Sequence, residues 1–202
     1  PGGDFSEPVT SHTKEIVRTF WALSKELADA RHYPAVSWTE SFSGDVTVAA
    51  QWWSDQIDKA WLARRAEALA LMNQAEELGR IVSLVGPEAL SAEQRWALEG
   101  ANLIKEGVLQ QSALDPADSF CSPQKQFVLL DLVLRLYHRG RDLLTQGVPV
   151  QQLLGLDVLV RARRLKSAFR SDQAEELRRF ADEIDTAFGG LGAEYRDGER
   201  HA

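Results

Sequence analysis

One cysteine in 202 residues, Cys121, excludes an internal disulfide and points to a reducing compartment. Long apolar runs are missing as well. None approaches the ~20 residues that span a bilayer, and no basic segment followed by an apolar stretch opens the chain as a leader peptide would. Positive charge is in deficit: 23 Lys and Arg face 30 Asp and Glu, for a net charge of −7. A phosphate backbone rewards a concentrated basic surface, so nucleic acid is not the expected partner. These absences lead to the expectation of a soluble, cytoplasmic protein. The histidines (His12, His32, His138, His201) show no metal-ligand spacing, and a lone Cys adds none, so no metal is expected. Neither GxxxxGK[ST] nor a helix-opening GxGxxG occurs, and the chain therefore has no standard equipment to hold a triphosphate and Mg²⁺. GxSxG is missing too, and Cys121 has no histidine near it in sequence; a half-buried thiol is the simpler reading than a nucleophile.

What is present is helical periodicity. The first ten residues are rich in Gly and Pro, and with no initiator Met they lead to the expectation of a cut inside a longer polypeptide. Ile16, Val17, Phe20, Leu23 and Leu27 recur at steps of three and four, predicting a helix over about 11–30 that Pro34 closes. Residues 33–44 read as a loop. A long helix is expected from Trp52 to Leu84, ended by Gly86-Pro87. Ser91-Ala92-Glu93-Gln94 fits a capping box opening a helix to Gly107, with a short helix over 108–114 after it. Ser122-Pro123 marks the next start, with a helix to about Gln146; helices over 150–169 and 173–188 follow. Gly189-Gly190 is expected to end the last one and leave a flexible tail over 189–202. With no strand-like alternation, the fold class is mainly α, a bundle of about six helices. The basic run Arg161, Arg163, Arg164, Lys166 and the acidic Glu175, Glu176, Asp182, Glu183, Asp185 are expected to pair between neighbouring helices.

Several motifs in order carry a family resemblance. They are Gly2-Gly3-Asp4-Phe5-Ser6-Glu7-Pro8-Val9-Thr10, Phe20-Trp21, Arg31-His32-Tyr33-Pro34-Ala35-Val36-Ser37-Trp38, Ile81-Val82-Ser83-Leu84-Val85-Gly86, Leu109-Gln110-Gln111 and Asp118-Ser119-Phe120-Cys121-Ser122-Pro123. Together, over residues 1 to about 188, they resemble the C-terminal region of the catalytic A subunit of V-type and A-type rotary ATPases. The resemblance implies a remnant of the nucleotide-binding domain over 1–44, holding the helix over 11–31 and an adenine-pocket loop, then a helical-bundle domain over 45–188. It implies that Tyr33, Pro34, Phe120 and Cys121 contribute an adenine pocket that works by stacking. The phosphate-binding loop, Mg²⁺-binding carboxylate and general base would lie upstream in the intact protein, where ATP or ADP binds with Mg²⁺; this chain alone would be inactive and hold no nucleotide tightly. It further implies B subunits of an alternating A/B ring and the central rotor stalk as partners, with no nucleic acid and no direct membrane insertion. The place would be the cytoplasmic face of a membrane, and the parent activity ATP synthesis or hydrolysis coupled to proton or sodium transport. The competing reading is a free-standing helical adaptor without nucleotide binding.

Overall fold

Val36-Ser37-Trp38-Thr39-Glu40-Ser41-Phe42-Ser43 sets larger side chains against small hydroxylic ones at every second position, the period of a strand. In the structure, a computed structural model that describes Pro8, His12, Thr13 and residues 16–200, this segment is strand β2 (Val36–Ser43). It pairs antiparallel with β1 (Thr19–Leu23), placing Thr19 opposite Ser43 and Leu23 opposite Val36, with a bulge between Phe20 and Ala22. The expected helix over 11–30 is thus corrected. His12, Thr13 and Ile16 are helical, the chain then extends through β1, and only Lys25–Asp29 (α1) returns to helix. The reason is that both faces of β1 are apolar. Phe20 and Ala22 turn inward while Trp21 and Leu23 are exposed, so no polar alternation betrays the strand. Apart from Pro8, the motif at residues 2–10 lies outside the described residues, as do Ser11 and residues 201–202.

The remainder is helical, as the periodicity predicts. Among the described residues the helices of eleven or more are α2 (Val46–Gln56), α3 (Trp61–Val85), α4 (Ala92–Ile104), α5 (Pro123–Thr145), α7 (Asp157–Ala168) and α9 (Phe180–Arg200). Short helices α6 (Val150–Leu154) and α8 (Ala174–Arg178) lie between the later ones. No helix among the described residues is long and apolar enough to cross a membrane.

Local chemistry explains where the structure departs from the expected bounds. The helix predicted from Trp52 to Leu84 breaks at 57–60, where the Asp58 carboxylate accepts from the Ala60 amide at 2.8 Å. The Trp53 and Trp61 rings stack across that corner, 5.0 Å apart and 10° from parallel. Gly155 ends α6 and divides the expected 150–169 helix, and a turn at Arg179 divides the one over 173–188. Residues 108–114 are not a helix of their own. α4 instead widens into a π turn over Lys105–Leu109, and an irregular loop follows. The tail is also corrected: α9 runs through Gly189-Gly190 to Arg200, because Leu191 and Tyr195 pack against the core and Gly192 passes close to Leu143. Tertiary contact outweighs the glycines' low propensity.

Both start signals hold. Ser91 and Gln94 exchange the two bonds of a capping box, and the Ser122 hydroxyl accepts from the Lys125 amide with Pro123 in the first turn. The core centres on Trp96, which is fully buried and donates Nε1–H to the Tyr137 carbonyl at 2.9 Å. Its indole lies on Gly140, where a Cβ would sit 2.1 Å from Trp96 Cζ2, so only glycine lets α4 and α5 approach this closely.

Charge ties the outer helices to α4 and α5 more than to each other. Arg161 pairs with Glu183, as the sequence suggests, but Arg163 turns to Glu99 and Glu106 on the α4 side. Arg135 and Arg139, one turn apart on α5, both bind Asp185 of α9. Hydrogen bonds from Arg135 and then Arg139 hold the Asp185 carboxyl at about 2, below its ordinary 3.8. A carboxyl with a lower folded than unfolded pKa stabilises the fold above the unfolded value and loses that contribution as pH falls through the folded one. Asp185→Asn should therefore lower the urea midpoint at neutral pH. Its deficit against wild type should close as pH drops from about 4 towards 2, read by urea titrations across that range.

Candidate functional site

The π turn creates the first anchor. Its carbonyl at Lys105 accepts from the Gln110 amide at 2.8 Å and also from His32 Nε2 at 3.1 Å. A carbonyl can only accept, so Nε2 carries the proton; Nδ1 is buried without a partner among the described residues. The His32 ring sits edge-on to Trp38 of β2, 5.4 Å between centroids. One residue further, the Gln111 amide donates to the Tyr33 carbonyl at 2.8 Å. The turn of residues 31–34, with Arg31 in the left-handed region at φ 57° and a cis Tyr33–Pro34 bond, is thereby fastened to the end of α4.

The second anchor is a pair of buried lysines. Lys125 has no solvent exposure, and its ammonium donates to the Ala117 and Lys166 carbonyls, each at 2.7 Å. Lys166 in turn donates to the Gln110 carbonyl at 2.5 Å. Burial lowers the Lys166 pKa, opposed by the nearby Asp118, Glu106 and Asp115 charges. Asp118, also buried, accepts from the Ser112 amide at 2.7 Å, while Gln111 Nε2 donates to the Asp118 carbonyl at 2.8 Å. Asp115 makes the local turn, accepting from the Ala117 amide at 2.9 Å. Its carboxyl is held below the ordinary range, first by the Ser167 hydroxyl. A third contact closes the joint: the Ser122 amide donates to Ser171 Oγ at 3.0 Å, and Ser171 Oγ donates to the Phe120 carbonyl at 2.9 Å. The loop over 110–122 has no regular structure, yet side chains from α5 and α7 hold it.

These anchors frame two neighbouring clefts that share Gln111, Asp118 and Lys166 in their walls. The wider, of about 470 Å³, is lined by Arg31, Tyr33, Gln110 and Ser112 among others. The other, of about 250 Å³, is lined by Trp53, Trp61, Cys121 and Phe127. The structure therefore distributes the four residues expected to share one pocket. Tyr33, 54% exposed, lines the wide cleft; Cys121 lines the narrow one. Pro34 is exposed beside Tyr33, and Phe120, 69% exposed, lies outside the lining of either cleft. Burial pushes the Cys121 thiol up, outweighing the Lys125 charge, which disfavours the thiolate form.

The sequence patterns do not single out Lys125, and they place Lys166 in a basic run expected to pair with acidic residues, whereas it binds the Gln110 carbonyl; a signal existed for both. Lys125 falls on the stripe of Val128, Leu129, Leu132 and Leu136, and Lys166 on that of Val158, Leu159, Ala162 and Leu165. A lysine at an apolar-face position is one whose ammonium must find oxygen inside the fold.

Apart from Lys166, the lining of the narrow cleft falls, with the loop and helices α3 to α6, inside a match over residues 50–154 to a family model described as the C-terminal domain of V and A type ATP synthase. The chain belongs to this family. Ahead of that span, residues 1–43 match the nucleotide-binding domain of the ATP synthase alpha/beta family, placing Tyr33 in one match and the loop over 110–122 in the other. Family relatives match nearly the whole chain. It is 72% identical over 197 residues to a V-type ATP synthase alpha chain of Nitrosococcus oceani, covering 98% of this chain and 33% of that one. The A subunit of an A-type ATP synthase from Ignicoccus hospitalis is 45% identical over 179 residues, covering 88% and 30% respectively. The chain thus spans about a third of the length of the curated relatives it matches. Among solved structures, an ATP synthase subunit of Nanoarcheaum equitans, NeqB, superposes with a TM-score of 0.56 at 22% identity, over 68% of this chain and 34% of that one; the likeness is one of fold.

If the buried ammonium is what holds the loop, replacing it with an apolar side chain of similar length leaves two carbonyls unsatisfied. Lys125→Met should cost about 2–4 kcal/mol of stability, the loss of two donors to buried acceptors, by urea denaturation. Hydrogen exchange should speed up at the Ser112 and Asp118 amides before it does in α4 and α5.

Proposed function

We propose that this chain is the C-terminal part of a catalytic A subunit of a rotary V/A-type ATP synthase, dividing near residue 44 into the end of the nucleotide-binding domain and a helical bundle. The bundle over 45–188 takes in the first turns of α9. In this reading the Tyr33 cleft receives the adenine of ATP or ADP, and the bundle transmits movement of the nucleotide-binding domain to a central rotor. B subunits neighbour it in an alternating ring, at the cytoplasmic face of a membrane whose proton or sodium flux the assembly couples to ATP.

The observation that carries the adenine assignment is the tie between Tyr33 and the loop over 110–122. The Gln111 amide holds the Tyr33 carbonyl, so an aromatic residue of the nucleotide-binding part lines a cleft together with residues of the bundle. A purine needs an aromatic face and an edge of hydrogen-bonding groups, and a cleft of about 470 Å³ is in the usual range for small ligands. Phe120 can join Tyr33 on the base only by rotating its exposed ring toward the cleft. Its backbone is held by Ser171, which leaves the side chain as the adjustable part. Nothing in the sequence offers the triphosphate or Mg²⁺ a cradle, so the residues that fit the ligand fit its base alone.

Two measurements test this on the chain as it stands. Inorganic phosphate release from Mg-ATP should stay at the uncatalysed background; turnover abolished by a substitution in this chain would overturn the assignment of the catalytic groups elsewhere. Adenosine, titrated at millimolar concentration into labelled protein, should shift the NMR signals of the Tyr33 ring and the Gln111 amide. Tyr33→Phe should retain the affinity, and Tyr33→Ala should weaken it by about fivefold or more, the low end of one base–aromatic stack.

A further inference from the structure

The π turn over Lys105–Leu109 is held from two sides. On one, His32 Nε2 donates to the Lys105 carbonyl at 3.1 Å, beside the Gln110 amide that closes the wide turn at 2.8 Å. On the other, α7 grips it at three points. Arg163 pairs with Glu106 at 2.6 Å, and Lys166 donates to the Gln110 carbonyl at 2.5 Å. Buried Gly107 faces the α7 backbone, with the Ala162 carbonyl oxygen 3.4 Å from the place of an added Cβ. His32 lies in the first family match, whereas α7 begins beyond the end of the second at residue 154. A π turn takes its hydrogen bond from the fifth residue on instead of the fourth, and it is rare except where function retains it. In the α register the Lys105 carbonyl would accept from the Leu109 amide in place of the Gln110 amide.

We propose that this turn is a two-register switch, held in the π register jointly by His32 and Lys166, which links the turn of residues 31–34 to α7. The switch is independent of what binds in the Tyr33 cleft. A carbonyl oxygen has two lone pairs, and at Lys105 both are used, one by Gln110 and one by a ring from outside the helix. That ring is buried and lies edge-on to Trp38, so its donor is aimed at the carbonyl by β2. Without the donor, the wide turn loses an interaction and the α register regains its ordinary bond. Contraction to α turns the following residues about 100° around the helix axis, the angle of one residue. It takes the Gln110 carbonyl away from Lys166 and the Gln111 amide away from the Tyr33 carbonyl. Loss of the Lys166 bond from the α7 side favours the same contraction. Two separate elements thus bias one equilibrium, which is the physical content of coupling.

Scalar couplings across hydrogen bonds, measured by NMR on the isotope-labelled full chain, read the register directly. Wild type should couple the Gln110 nitrogen, and not the Leu109 nitrogen, to the Lys105 carbonyl carbon. His32→Phe keeps a ring beside Trp38 and removes the donor. Its Gln110 coupling should fall to about half or less and a Leu109 coupling appear, the effect of one hydrogen bond on a near-balanced equilibrium. His32→Gln puts an amide N–H where Nε2–H stood and should restore the wild-type pattern, which a ring acting only as packing would not predict. Lys166→Met removes the α7 bond alone and should bring up the Leu109 coupling with His32 in place. A Leu109 coupling already present in wild type overturns the π register. A Gln110 coupling unchanged in His32→Phe, or not restored in His32→Gln, overturns the role of His32. If Lys166→Met leaves the couplings at their wild-type values, the link to α7 is overturned, and this result stands even where His32→Phe does not fold.

Discussion

An ammonium taken out of water must be given oxygen, and at Lys125 that oxygen comes from backbone on two sides: Ala117 in the loop and Lys166 at the end of α7. The loop over 110–122 could not be held there by apolar packing alone, since it is polar and irregular. The lysine therefore acts as the keystone of this end of the bundle. Around it, Lys166 reaches the Gln110 carbonyl, Ser171 braces Ser122 and Phe120, and Asp118 folds the loop upon itself. The surface presented to the cleft is the outer side of this braced assembly.

The Tyr33 turn is built on a different principle. It is attached to the bundle through a carbonyl at Lys105 that takes two donors and an amide at Gln111 that gives one. These contacts join the two family matches in the chain, one ending at residue 43 and the other beginning at residue 50. Geometry at the cleft is thus sensitive to both parts. In the proposed role, that sensitivity is the useful property: a base bound against Tyr33 touches groups whose positions depend on α4, α5 and α7 together.

Signals confined to one turn of chain could be read directly. The Ser91–Gln94 capping box and the Ser122-Pro123 start rely only on residues within four positions, and both formed as the pattern implies. What escaped reading depends on contacts distant in sequence. β1 has two apolar faces because Trp21 and Leu23 stand outward, and its partner β2 shows its period of two only if Ser and Thr are taken as one face. α9 passes Gly189-Gly190 because Leu191 and Tyr195 have a core to meet. At the site, the motif resemblance singled out Tyr33 and Phe120, whereas the buried lysines had to be seen in place. Charge reads as solvent exposure until an apolar stripe claims the same position, as Val128, Leu129 and Leu132 do for Lys125.

The corner between α2 and α3 has a spectroscopic consequence. Trp53 and Trp61 lie nearly parallel at 5.0 Å, and Trp52 stands edge-on to Trp53 at 5.6 Å. Transition dipoles this close couple, and their exciton splitting depends on the angle between the rings. Trp21 is exposed and Trp96 is sealed in the core, so neither shares that environment. The junction between the sheet-bearing segment and the bundle consequently carries its own chromophore, whose circular dichroism follows the angle of the corner without any label.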